Sequence, residues 1–158
     1  MRIVSIIGHK KSGKTALIEE LIPVLSSRGH RIGTVKHAPH TPLHADPTAD
    51  SARHRRAGAE RTLLVAEDGA ALLIDPEDDI EEAISEGFPG FDIVLVEGYK
   101  DGPFPKIEVQ KKGEEPLYKN RNVICLISDD PAPPVGDVPI LKRGNIEGIA
   151  RLIERLPG

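Results

Sequence analysis

Eight residues near the amino end carry the clearest chemistry in the chain. Gly8-His9-Lys10-Lys11-Ser12-Gly13-Lys14-Thr15 fills every fixed position of the phosphate-binding pattern G-x-x-x-x-G-K-[ST]. Its two glycines let the backbone wrap a polyphosphate, so that N–H groups and a helix N-terminus face the negative charge. Lys14 then reaches the terminal phosphates, and the Thr15 hydroxyl is placed to hold a Mg²⁺ that bridges phosphate oxygens. An ordinary glycine turn would not need the flanks found here. Arg2 to Ile7 read as an apolar strand and Ala16 to Leu25 as an apolar-periodic helix.

Ligands of open α/β sheets lie beyond the carboxyl ends of the strands, which selects the remaining candidates. Phe91 to Glu97 is the most apolar run, as expected of a strand covered on both faces, and it ends in a carboxylate. Glu97 therefore occupies the place of a second acid that holds Mg²⁺ or its waters, or orients an attacking water. The bland alternative is a capping or salt-bridged carboxylate. Lys36 and His37 close the second strand, where a cation and an imidazole suit a phosphate or an anionic partner. Asp129 follows the penultimate strand and could accept the ring N–H and amino donors of a guanine, although the N-K-x-D sequence of many GTPases is absent.

Two further groupings are open to more than one reading. His37, His40 and His44 invite nickel or zinc, but the prolines between them prevent a regular helical face and no cysteine accompanies them. Arg53, His54, Arg55 and Arg56 form the densest basic cluster, suited to a second phosphorylated ligand or simply to a solvated helix face.

The elements that must position these groups follow from periodicity. Leu17, Ile18, Leu21, Ile22 and Leu25 give the first helix a sheet-facing side, with a bend expected at Pro23. Arg31 to Lys36 form the second strand, and His37 to Asp50 a long loop with three prolines, placed to act as a switch or substrate loop. Asp50-Ser51 start a short helix ending near Gly58. Arg61 to Ala66 and Ala70 to Ile74 make a hairpin through Glu67-Asp68-Gly69, so the sheet is expected to be mixed. Then come an acidic helix from Asp78 to Glu86, strands at 91–97, 106–109, 122–127 and 140–141, and a closing helix capped by Asn145. The class is α/β, a three-layer P-loop NTPase-like fold with a mostly parallel sheet and an antiparallel hairpin portion.

Composition narrows the partners. A chain of 158 residues suits a single domain, leaving little room for a separate substrate module. A net charge of -4 gives no global attraction to nucleic acid or to an anionic membrane. No run approaches the length of a membrane span, and the lone Cys125 suits a reducing compartment, so a cytoplasmic protein is expected. Cys125 itself reads as a small buried core residue.

In order and spacing, Gly8 to Thr15, Leu21-Ile22-Pro23, Lys36-His37, Asp50-Ser51, Ala57-Gly58-Ala59 and Val94-Leu95-Val96-Glu97-Gly98-Tyr99-Lys100 resemble the molybdopterin-guanine dinucleotide biosynthesis protein B family over nearly the whole chain. The resemblance implies a homodimeric GTP-binding protein that assists a partner molybdenum-cofactor nucleotidyltransferase in attaching GMP to molybdopterin, with at most slow GTPase activity. It carries Gly13, Lys14 and Thr15 over as phosphate and Mg²⁺ contacts and Glu97 as the acid at the central strand. Lys36, His37, Asp50 and Ser51 carry over as members of the family pattern; with Arg53 they make a partner or substrate loop. One departure stands out: Pro47 is followed by Thr48 where the family tends to have glycine, and Asp46 is shifted by one position. Slow turnover also follows from the residues themselves, since neither an arginine finger nor a water-positioning glutamine follows the second strand. The alternatives are a small-molecule kinase holding an anionic acceptor on Arg53 to Arg56, and a nickel-delivery GTPase using the histidines.

Overall fold

The computed structural model describes residues 1–38, 50–74, 80–111, 113–117, 122–129 and 138–158. They fall into two compact units, one of residues 1–38 with 88–158 and one of residues 39–87.

The first unit is a six-stranded sheet with two helices. Its strands are β1 (Arg2–Ile7), β2 (Ile32–Lys36), β5 (Ile93–Glu97), β6 (Lys106–Val109), β7 (Val123–Ile127) and β8 (Ile140–Leu141). They run in the order β2-β5-β1-β6-β7-β8, and every neighbouring pair is parallel. Helices α1 (Lys14–Ser27) and α4 (Ile146–Glu154) touch each other and both contact β1. α1 continues through Pro23. Asn145 caps α4 as expected, its Oδ1 accepting from the Gly148 N–H at 3.1 Å.

Alternation along each strand sorts the side chains between the two faces of the sheet. Val4, Ile6, Ile93, Leu95, Ile107, Val109, Cys125 and Ile127 form one apolar cluster with Leu17, Leu21 and Leu25 of α1 and Ile149 and Ile153 of α4. The intervening positions are equally buried but include polar groups, with Ser5, Lys106 and Glu108 among them. Two carbonyls, of Gly102 and Phe104, each accept from Lys106 Nζ at 2.7 Å, and Glu108 Oε1 accepts from the Leu117 N–H at 2.7 Å. Buried charges are tolerated only with such partners. Burial also pushes the Cys125 thiol up to about 11.

On the outer edge, Gly33 of β2 is buried because the Phe88 ring occupies its side-chain space; a Cβ there would lie 2.5 Å from Phe88 Cδ1. At the far end of α1, Arg28 pairs with Glu147 and, at 2.5 Å, with Glu154 of α4, and His30 Nε2 lies 3.0 Å from Glu154 Oε1.

The second unit contains α2 (Asp50–Arg56), β3 (Arg61–Ala66), β4 (Gly69–Ile74) and α3 (Ile80–Gly87). The expected α/β P-loop fold, with mostly parallel strands and an antiparallel hairpin, is the observed one. Among the described residues the hairpin does not join the parallel strands into the expected mixed sheet, however: β3 and β4 make a two-stranded sheet of their own. Pairing alone decides a hairpin, whereas membership of a larger sheet depends on contacts that local sequence does not encode. Ala66 pairs with Gly69, so the two turn residues are Glu67-Asp68, and Gly69 is already in β4. Leu63, Val65 and Leu72 are 62%, 71% and 53% exposed. No helix among the described residues is long and apolar enough to cross a membrane.

Candidate functional site

The loop between β1 and α1 takes its shape from backbone positions that side chains resist. Gly8 and Gly13 have φ of 147° and 94°, and a Cβ on Gly8 would stand 2.4 Å from the Val109 carbonyl oxygen. Lys11 is also left-handed, at φ 63°. Gly13 precedes the first residue of α1, and neither a side-chain cap nor an acid in the first turn neutralises that helix end. A helix N-terminus left in this condition favours an anion.

Lys14 folds back over the loop. Its Nζ donates to the Gly8 carbonyl at 3.1 Å and the His9 carbonyl at 2.8 Å. Burial lowers its pKa and Lys36 adds to the lowering, while Glu97 and Glu114 oppose it. A cation held partly out of water with two neutral acceptors is only partly compensated and suits an anion. Ser12 is almost wholly buried, and its hydroxyl has no hydrogen-bond partner among the described residues. His9 Nε2 lies 3.0 Å from the Glu115 carbonyl oxygen, and Lys10 and Lys11 are exposed.

Strand alternation puts Glu97 on the same sheet face as Ile93 and Leu95, the face that α1 covers. The consequence is direct: the Thr15 hydroxyl reaches Glu97 Oε1 at 3.0 Å and Oε2 at 3.1 Å. Residues 82 positions apart in sequence thus supply a hydroxyl and a carboxylate at one point. This all-oxygen set suits a hard, octahedral cation such as Mg²⁺, whose other ligands would be phosphate oxygens and water. Lys36 Nζ stands 3.9 Å from Glu97 Oε1.

His37 continues this edge, its N–H donating to the Glu97 carbonyl at 3.0 Å and its ring 4.7 Å from that of Tyr99. Gly98 is left-handed at φ 91°, and a Cβ there would approach the His37 carbonyl oxygen to 3.1 Å. His40, His44, Asp46, Pro47 and Thr48 lie outside the described residues, so the three-histidine reading and the effect of Thr48 do too. Among the described residues no group of three or more histidines, cysteines or acids is placed to hold a metal.

Asp50, Ser51 and Arg53 belong to α2 in the second unit, where Asp50 Oδ1 pairs with Arg53 Nη1 at 3.1 Å. Asp129 lies beyond β7, and its Oδ1 accepts the Arg143 N–H at 3.1 Å. Arg143 itself went unnoticed in the sequence. The available signal was a basic residue two positions past β8, at the carboxyl end of the sheet where ligands collect.

Comparison with known proteins places the chain in a family. The family model described as molybdopterin guanine dinucleotide synthesis protein B matches residues 3–129. The molybdopterin-guanine dinucleotide biosynthesis adapter protein of Escherichia coli (strain K12) is 34% identical over 153 residues, covering 90% of this chain and 85% of that protein. A probable adapter protein of the same description from Bacillus subtilis (strain 168) is 30% identical over 129 residues, covering 79% and 75%. Among solved structures, a MobB protein homolog from Bacillus stearothermophilus superposes with a TM-score of 0.73 at 24% identity, covering 99% of this chain and 100% of that one. Bacillus subtilis MobB gives 0.72 at 25% identity, covering 100% and 99%. With a family match over most of its length and a relative this similar over nine-tenths of it, the chain belongs to the molybdopterin guanine dinucleotide synthesis protein B family.

Proposed function

We propose that the protein is a GTP-binding adapter in the synthesis of molybdopterin guanine dinucleotide, assisting a partner nucleotidyltransferase that attaches GMP to molybdopterin. The observation that carries the nucleotide half of this reading is the meeting of Thr15 with Glu97 at the uncapped start of α1, beside a Lys14 already folded over the loop. Backbone N–H groups of residues 8–15 would cradle the phosphates, and Lys14 would neutralise the terminal ones. Thr15 would ligate Mg²⁺ directly, with Glu97 holding it or its waters. When bound, Mg²⁺ would neutralise charge on the β- and γ-phosphates. Guanine is favoured over adenine by the family's own product, a guanine dinucleotide. The adapter half rests on the description of the Escherichia coli relative. Nucleotide turnover is slow in this reading, because neither an arginine finger nor a water-positioning glutamine follows the second strand.

We assign to partner or molybdopterin contact Lys36 and His37 of the first unit and, separately, Asp50, Ser51 and Arg53 of α2 in the second. The exposed apolar hairpin supports a homodimer, since two-stranded ribbons are marginal alone and gain by covering such residues.

Titration calorimetry with GTP and ATP, with and without Mg²⁺, tests the binding. Tighter binding of GTP than of ATP, dependent on Mg²⁺, is expected, and tighter binding of ATP would defeat the guanine assignment. Lys14→Ala should weaken nucleotide binding by about a hundredfold or more while the melting temperature holds. Nucleotide-loaded protein used as bait should recover a molybdenum-cofactor nucleotidyltransferase, and its consistent absence would argue against the adapter role.

A further inference from the structure

Arg143 joins more of the candidate site than any residue assigned to it so far. Its Nη2 donates to the Ser12 carbonyl oxygen at 2.8 Å and, more weakly, to the Gln110 carbonyl oxygen at 3.4 Å. Its Nη1 lies against Gly13, where an added Cβ would stand in its place. Asp129 holds it from behind: Oδ1 accepts the Arg143 N–H at 3.1 Å, and Oδ2 lies 3.8 Å from Nε. One guanidinium thus ties the phosphate loop to the ends of β6 and β7.

The consequence follows from peptide geometry. The Ser12 carbonyl and the Gly13 N–H belong to one planar trans peptide and point in opposite directions. A charge-assisted bond that fixes the carbonyl toward Arg143 therefore fixes the Gly13 N–H away from it. Anion-binding loops work through N–H groups held converging before the anion arrives. At a left-handed glycine, where the backbone has most freedom, an external restraint matters most.

We infer that Arg143 is a positioning residue that presets the phosphate loop by clamping the Ser12–Gly13 peptide, and that Asp129 serves to anchor Arg143 and not to read a base. The clamp is a property of the free protein; its effect on affinity rests on the nucleotide reading proposed above.

The test compares Arg143→Ala, Arg143→Lys and Asp129→Asn with the unaltered chain. Amide hydrogen exchange without nucleotide should quicken about tenfold at Ser12, whose N–H donates to the His9 carbonyl oxygen at 3.2 Å, in Arg143→Ala, while residues 149–153 of α4 keep their protection. Arg143→Lys keeps the charge but loses the planar fork, and should restore part of that protection. Binding of Mg²⁺ with GTP and with ATP should weaken by the same factor in Arg143→Ala, about tenfold. Asp129→Asn should act in the same direction with a smaller loss, and should add nothing to Arg143→Ala. Unchanged exchange at Ser12 in Arg143→Ala would overturn the inference, as would a loss in Asp129→Asn confined to GTP. Should the unaltered protein bind neither nucleotide, the proposed function fails, whereas the exchange measurement still decides the clamp. Should Arg143→Ala lower the melting temperature, the exchange of Arg143→Lys decides it in the same way.

Discussion

Two stretches of similar composition come to opposite ends in this molecule. Ile93-Val94-Leu95-Val96 in β5 is wholly buried, with β1 on one side and β2 on the other. Leu63-Leu64-Val65 in β3 is mostly exposed, with β4 as its one strand partner. Apolar character over three or four residues therefore does not by itself separate the two environments. What differs is the number of neighbours that the topology supplies. A strand in the middle of a parallel sheet is covered by crossover elements, whereas a two-stranded ribbon cannot cover its own faces. Leu63 and Leu72 are directly paired and share one face, while Leu64 and Ala71 share the other. The hairpin thus offers apolar surface on both sides, a form of exposure that commonly marks association.

The largest expected effect tests the energetic side of that contrast. Leu95→Ala should cost about 3 kcal/mol in urea unfolding, from lost burial plus the cavity left behind. Leu63→Ala should stay within about 0.5 kcal/mol in protein dilute enough to be monomeric. Equal losses would mean that the hairpin is covered after all.

An intermediate effect tests what the exposed face is for. Val65→Asp should weaken self-association at least about tenfold in sedimentation equilibrium, because a carboxylate would have to be desolvated in any apolar interface. Nucleotide affinity should not follow, since among the described residues the loop's hydrogen bonds do not involve β3. Unaltered self-association would remove the hairpin from the proposed homodimer.

The smallest effect concerns the clamp between α1 and α4 in the parallel unit. Burial alone would raise the Glu154 carboxyl, but bonds from His30 and Arg28 outweigh it and hold it below the ordinary range. A carboxylate lowered on folding contributes stability that is complete above its unfolded pKa and is lost as pH falls through the folded value. Glu154→Gln should therefore flatten the decline of the melting temperature below about pH 4.5 and leave little trace on acid stability beyond it. An unchanged acid profile would mean that the clamp contributes geometry alone.

Much of the fold was legible because it depends on local rules. The phosphate loop is specified by glycine conformation, and β5 by an unbroken apolar run, so both could be read from the chain. The Thr15–Glu97 contact was half legible: each end was chosen for its place at a strand terminus, although the distance between them needed the sheet order. Asp68-Gly69 announced the hairpin but not its turn register, and said nothing about which sheet it would join. Arg143 was harder to read: its place past β8 marked only the ligand end of the sheet, and its contact with Ser12, 131 residues away, needed the fold. Lys106 and Glu108 are charges inside a strand, and only the sheet explains why they are buried.

Cys125 gives the parallel unit an internal clock. The chain has one cysteine, wholly buried in β7 and with a thiol pushed up to about 11. At neutral pH a thiol reagent meets neither access nor thiolate until that strand leaves the sheet. The speed of labelling therefore reports how often the core opens, with no probe to be engineered. Because the hairpin unit carries no thiol, loosening confined to it would pass unseen.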